Sequence, residues 1–387
     1  MAKKQGKRAN HEGTITKRSD GRWEVKITAS RDAATGKPMR KCIYGKTQKE
    51  AKEKRDEYLV KVKTGTYVKP DTITLGSWVS RWLELFVQPK VKMSTYSKYT
   101  INLRAHVIPG LGSIELQKIA TEQLQEFYNK KAKTLSSSAL AILHQIINGS
   151  LKQAVKQKLI INNPAEFTSR PAVRYKEIAP LTANEVAKYL AAAKPGRLYP
   201  AFLLDITTGL RRGELLALHW KDVNLETGVL TVRESLSRVE DTATGKTSLV
   251  FSEPKTMAGK REVPILPDVV KELKTHRAKQ AEERLKLGSA YEDNDLVFCT
   301  AEGKPLEPRG FLRKHKQLLE KAGLRGELRV HDLRHTFGTM LAQAGENPKN
   351  LQEIMGHADI RTTLGTYCHS SLEDKKRAIE KLASLIT

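Results

Sequence analysis

RVHDLRHTFGTMLAQAG, residues 329–345, places His331 and His335 four residues apart, on one face of a helix. That spacing grips zinc when a Glu follows the first His. Here Asp332 follows it instead. Arg334 falls between the two rings, and a permanent cation would repel a divalent metal unless its side chain pointed away. The alternative is that His331 and Arg334, one turn apart, together face an anion such as a phosphate. On this stretch alone both readings stand.

Composition leans toward the anion. Lys and Arg number 68 against 43 Asp and Glu, a net charge of +25 over 387 residues. A chain that basic is usually paired with a polyanion, nucleic acid foremost. Charge kept for solubility and an anionic membrane surface are the alternatives. No apolar run approaches the length of a transmembrane helix, and the opening MAKKQGKRAN is basic with no apolar segment behind it. The expected location is the bacterial cytoplasm, in association with the nucleoid. Cys42, Cys299 and Cys368 are odd in number and far apart, which indicates neither a disulfide framework nor a cysteine zinc site.

The expected architecture is multidomain α+β. Residues 12–44 read as strands: GTITKR, a Ser19-Asp20-Gly21 turn, then a run in which Trp23, Val25 and Ile27 alternate with Arg22, Glu24 and Lys26. MRKCIYG follows a loop containing Thr35-Gly36-Lys37-Pro38, and Thr47 looks like the N-cap of a charged helix reaching about Val62. This three-stranded module with its helix is taken as residues 1–63, and 64–71 as a linker. Leu75, Trp78, Val79, Trp82, Leu83 and Phe86 recur at helical spacing, as do later segments from Ser94, Thr121 and Ser137, giving an all-helical domain over 72–165. A basic linker, 166–180, leads to the capping-box pattern of Thr182 and Glu185. The third domain, 181–387, mixes helices at 183–193, 198–207, about 212–218 and 267–287 with hairpin-like runs at VLTVRESLSRV and SLVFSEPKTMAGKREVPI.

Several residues of this last domain have the chemistry to act on a phosphate. Arg211 opens a helix in TGLRRGELLAL, a plausible anion site, or is a surface arginine paired with Glu214. Lys255 sits in the turn-like PKTMAGKR, where a hairpin lysine is usually solvated. His357 after Gly356 reads equally as a cap or structural donor, and Tyr367 as amphipathic core. None of them is decisive alone.

In order along one domain, however, TGLRRGELLALHWKDV, PKTMAGKREVPI, HDLRHTFGTMLAQAG and LQEIMGHADIRTTLGTYCH resemble the motifs of the tyrosine recombinase (phage-type integrase) family. Residues 12–63 resemble the arm-site-binding domain of lambda-type and conjugative-transposon integrases, and 72–165 their helical core-binding (SAM-like) domain. The resemblance implies site-specific recombination, integrating and excising a mobile element, conjugative transposon or prophage. Tyr367 would be the nucleophile that forms a 3′-phosphotyrosyl bond, and Arg211, Arg334 and His357 would hold the non-bridging oxygens. Lys255 would be the general acid for the departing 5′-hydroxyl, and His331 would assist proton transfer with Tyr367. Glu214 would support the site, with His335 a structural or supporting group.

No metal and no nucleotide cofactor is implied, since the phosphotyrosine ester keeps the energy of the broken bond. The implied partners are double-stranded DNA at core and arm sites, the other protomers of a homotetramer, and accessory excisionase and host DNA-bending proteins. Beyond Tyr367, Ala378, Ile379, Leu382 and Leu385 form an apolar stripe that packs on its own domain or docks on a neighbouring protomer. The competing readings are a type IB topoisomerase, a DNA-binding regulator without catalysis, and a zinc hydrolase built on His331 and His335.

Overall fold

The computed structural model describes residues 13–31, 38–64, 67–68, 71–169, 179–241, 244–254, 257–367, 376 and 379–380. The chain divides into two compact units, Met1–Lys90 with Tyr99–Val173 and Val91–Lys98 with Arg174–Thr387.

The first unit begins with an antiparallel sheet, β1 (Thr14–Lys17), β2 (Trp23–Arg31) and β3 (Pro38–Gly45), in the order β1-β2-β3. Alternation sends Val25 and Ile27 to one face, where α1 (Gln48–Lys63) covers them with Ala51, Tyr58 and Leu59. Thr47 caps α1 as its sequence suggests, its Oγ1 accepting the Glu50 N–H at 3.1 Å. The other face pairs Glu24 with Tyr44 and Lys26 with Cys42 across the strands. Arg18 and Arg22 lie over the Tyr44 ring at 5.6 and 5.7 Å, so this face is basic. The Thr35-Gly36-Lys37 loop lies outside the described residues. Tyr67, in the stretch read as linker, joins Tyr58 around Lys41, whose Nζ is 4.3 Å from both ring centroids.

Helices follow. α2 (Leu75–Trp82) continues through a wider turn at Leu83–Val87, and α3 (Met93–Asn102) runs through Leu103–Val107 into α4 (Ile108–Leu111). α5 (Thr121–Ala132) and α6 (Ser137–Lys156) complete the set. Leu75, Trp78, Val79, Trp82 and Leu83 are buried, as their spacing requires, on the side where α2 meets α6. There Trp78 Nε1 donates to the Ser150 carbonyl at 2.9 Å, satisfying the one polar atom of a buried indole.

The second unit is α+β. α7 (Ala183–Ala193) starts with the expected reciprocal cap, the Glu185 carboxylate accepting the Thr182 N–H at 2.8 Å. α8 (Tyr199–Thr208), α9 (Arg212–Leu216), α10 (Pro267–Leu287), α11 (Pro308–Lys321) and α12 (Val330–Gln343) surround its core. The short strands are β4 (Val223–Asn224), β5 (Val229–Val232), β6 (Ser235–Glu240), β7 (Thr247–Ser252) and β8 (Arg261–Pro264). The two hairpin-like runs pair with each other and not each upon itself: β5 joins β8 in the sheet β4-β5-β8, while β6 joins β7 in a separate sheet. The reason is that each run changes sheet midway, the first at Arg233-Glu234.

α8 is apolar nearly all round because it is buried nearly all round, packed against α7, α10 and α12, with Phe202 stacked on Phe311 at 4.6 Å between centroids. α13 (Pro348–Met355) and α14 (Ile360–Tyr367) close the described chain, and Phe337, Leu351, Met355 and Tyr367 form a second, smaller apolar cluster. In the tail, Ile379 is exposed, while Ala378, Leu382 and Leu385 lie outside the described residues. Among the described residues no helix is long and apolar enough to cross a membrane.

Candidate active site

The site is built where helices end. α8 terminates at Gly209, whose φ of +60° suits glycine, and a Cβ there would lie 2.4 Å from the Phe337 ring. The Gly209 carbonyl accepts a hydrogen bond from Arg334 Nη1 at 2.6 Å, and Arg334 Nη2 donates to the Met355 carbonyl. Arg334 is only 1% exposed, so these carbonyls replace the water its guanidinium has lost. α13 ends at Gly356 with φ +63°, where a Cβ would lie 2.8 Å from the Ala258 carbonyl oxygen. The Gly356 carbonyl accepts from Arg211 Nη2 at 3.1 Å.

Arg211 also anchors the start of α9, its backbone N–H reaching Glu214 Oε2 at 3.0 Å and its Nη1 reaching Glu214 Oε1 at 2.7 Å. The same buried carboxylate receives Arg261 Nη2 at 2.9 Å, and Arg261 Nε donates to the Ile354 carbonyl at 2.5 Å. Burial would raise the Glu214 pKa, but Arg261 and Arg211 outweigh it and hold the group below the usual carboxylate value. Arg334 is drawn down to about 10 by burial and by repulsion from Arg211, and so keeps its charge at neutral pH. Nearby Asp205 is fully buried, and burial lifts it well above the carboxylate range, with Arg334 opposing and Glu214 adding to the rise. Three guanidiniums against one firmly ionised carboxylate leave the site positive.

The remaining groups come from α12, the turn after α13, and α14. His357 Nδ1 lies 2.9 Å from the hydroxyl of the buried Thr363, and its ring stacks on that of Tyr367 with centroids 6.2 Å apart and planes 4° from parallel. Tyr367 is 6% exposed, and its Oη is 3.0 Å from His335 Nδ1. The ring lies across α12 at Gly338, where a Cβ would be 2.7 Å from Tyr367 Cε1. His331 meets His335 edge-to-face at 4.7 Å. Desolvation holds His357 down to about 4, with Arg334 and Arg211 adding, and His331 to about 4, with His335 and Arg334 adding. Both are neutral imidazoles at pH 7. Burial raises the Tyr367 hydroxyl above its usual value, with Arg334 and Arg211 pulling it back.

The structure thus gathers Arg211, Glu214, His331, Arg334, His335, His357 and Tyr367 in one place, while Lys255 lies outside the described residues. Arg261, Thr363 and Asp205 went unpredicted. For Arg261 the sequence offers only a weak signal, its strand parity with Val263, which is buried; the pairing with buried Val232 that fixes its inward aim is visible only in the structure. Among the described residues no group of three or more His, Cys, Asp or Glu side chains is arranged to hold a metal ion.

Residues 179–374 match the model of the phage integrase family, and residues 74–132 that of the phage integrase N-terminal SAM-like domain. A tyrosine recombinase XerC-like protein of Caldanaerobacter subterraneus is 32% identical over 377 residues, covering 94% of this chain and 96% of that protein. The chain belongs to the phage integrase family. It is a tyrosine recombinase, a DNA strand transferase by class. Among solved members of the family, the Tn1549 transposon integrase in complex with transposon right end DNA superposes with a TM-score of 0.68 at 25% identity, covering 80% of this chain and 99% of that one. A lambda integrase tetramer bound to a Holliday junction shares the fold, with a TM-score of 0.56 at 19% identity and coverage of 93% and 96%.

Proposed function

We propose that this recombinase breaks and rejoins DNA through Tyr367, with Arg211 and Arg334 holding the scissile phosphate. The observation that carries the reading is the seat of Tyr367: its ring stacks on His357 and its hydroxyl feels both Arg334 and Arg211 within one unit of a single chain. Oη forms the bond to phosphorus while the bond from phosphorus to the 5′-oxygen breaks, Lys255 supplying the proton that the leaving oxygen takes. Attack by a second 5′-hydroxyl on the phosphotyrosyl ester reverses the step on another strand and frees the phenol. His331 and His335, on one face of α12, manage the proton of the nucleophile, and Glu214 fixes Arg211.

An ordinary tyrosine has a pKa near 10, so ionising it at pH 7 costs about 4 kcal/mol. A positioned base and two guanidiniums offset a cost of that order. Neutralising a phosphoryl group with preorganised cations is what such sites do, and each donor contributes roughly 3 to 4 kcal/mol.

The domain assignment rests on likeness to the family: residues 1–63 bind arm sites through the basic sheet face of Arg18, Arg22 and Lys26, 72–165 embrace the core site, and 181–387 carry the chemistry. By likeness to the Tn1549 and lambda integrases, the substrate is the duplex end of a mobile element and the working form a tetramer, its C-terminal tail docking on a neighbour. Excisionase and host DNA-bending proteins would set direction, in the bacterial cytoplasm at the nucleoid.

The test is covalent trapping with nicked duplexes tiled across the DNA flanking the gene, on denaturing gels in EDTA. We expect a protein–DNA band from the wild type and none from Tyr367→Phe. A band that survives the substitution would remove Tyr367 as nucleophile.

A further inference from the structure

Resting on the reading of Tyr367 as nucleophile, we propose that His335 is the group that takes the phenolic proton, with His331 acting behind it. The two histidines are equivalent by sequence spacing, both projecting from one side of α12, but they are not equivalent in the structure. Tyr367 Oη lies 3.0 Å from His335 Nδ1, a direct hydrogen-bonding distance. His331 meets His335 instead, edge-to-face at 4.7 Å. Gly338, three residues beyond His335 on the same face, is what lets the Tyr367 ring come this close, since any Cβ there would overlap it.

For the transfer, the His335 ring must be neutral with its hydrogen on Nε2, leaving the Nδ1 lone pair to accept from Oη. Its surroundings favour the neutral form: burial lowers its basicity, Arg329 and Arg334 lower it further, and only Asp332 opposes them. As Oη bonds to phosphorus, its proton passes to Nδ1, and the electron pair of the O–H bond stays on the oxygen. The imidazolium so formed lies beside Asp332, which favours the charged ring, and against the His331 ring. When the phosphotyrosyl ester is resolved, Nδ1 returns the proton to the departing phenolate. No metal or further reactant enters the balance.

The experiment measures the rate of covalent adduct formation on nicked duplexes from pH 6 to 9 for the wild type, His335→Ala, His335→Asn, His331→Ala and Tyr367→Phe. DNA binding and melting temperature are checked for each. A positioned general base contributes roughly 10²- to 10⁴-fold. We expect His335→Ala and His335→Asn to be slower by at least about 100-fold, although the asparagine keeps a hydrogen-bond acceptor near the phenol. Their rates should climb with pH where the wild type has levelled, and added imidazole should rescue the alanine variant. His331→Ala should lose less. If His335→Ala cleaves within a few-fold of the wild type with an unchanged pH profile, or if His331→Ala alone is crippled and rescued by imidazole, His335 is a packing group and the proposal fails. An adduct from Tyr367→Phe would overturn the underlying nucleophile assignment instead, and the two failures are read separately.

Discussion

The N-terminal sheet and the catalytic unit are both rich in arginine and lysine, and they use them in opposite ways. In the first, the charges of α1 stand in water: Lys54 meets Glu50 and Lys61 meets Glu57, all four side chains substantially exposed, while Glu24 of the sheet is the buried exception. In the second, Arg261 and Glu214 form an ion pair whose side chains are 6% and 4% exposed, and Arg334 is sealed among backbone carbonyls. Exposed pairs set a surface potential and little else. Buried ones must be matched atom by atom, so they define a geometry. On the proposed reading, the difference separates a region that attracts DNA from a region that does chemistry to it.

Breaking the buried network should therefore have the largest effect. Glu214→Ala leaves Arg211 and Arg261 without their shared carboxylate, and removing one partner of a buried pair typically costs about 3 to 5 kcal/mol. We expect a large drop in melting temperature at pH 7. Because the folded-state pKa of Glu214 is depressed, its contribution is fully present above the ordinary carboxylate value and is lost as pH falls through the folded value. The gap between variant and wild type should accordingly close in acid, as thermal denaturation across pH will reveal.

Arg334→Lys keeps the charge but not the fork. A lysine has one nitrogen and cannot bond the carbonyls of Gly209 and Met355 together while still aiming donors at a phosphate. We expect cleavage of nicked duplexes to slow by about 10² to 10³, the usual loss for one preorganised donor, with DNA binding in a gel-shift assay nearly unchanged. Equal loss of binding and cleavage would mean that Arg334 serves affinity and not the transition state.

At the small end, Lys61→Ala on α1 should leave the melting temperature where it is. If it destabilised the protein as Glu214→Ala does, the contrast between the two regions would collapse.

How much of this was legible in the sequence follows the range of the forces involved. Local signals were read well: the cap at Thr47, the Thr182–Glu185 box and the apolar stripe from Leu75 to Leu83 depend on neighbours a few residues away. The cluster of Arg211, Arg334, His357 and Tyr367 was legible because the family motifs keep those residues in order along the chain. Arg261 was missed because its inward aim depends on the pairing of β8 with β5, set some 30 residues earlier by the register Val232↔Arg261. Thr363 was missed because nothing in TTLGTY says which hydroxyl will face a histidine across a turn. His331 and His335 are side by side in the sequence, and only the return of α14 onto α12 brings one of them, His335, to the Tyr367 hydroxyl.

The glycine carbonyls that end α8 and α13 have a consequence for timing. Arg334 and Arg211 are seated by the same backbone atoms that terminate two helices, so the charged pocket matures when the polypeptide does and does not wait for its substrate. Whatever restrains the enzyme therefore acts elsewhere than on the seating of these two guanidiniums.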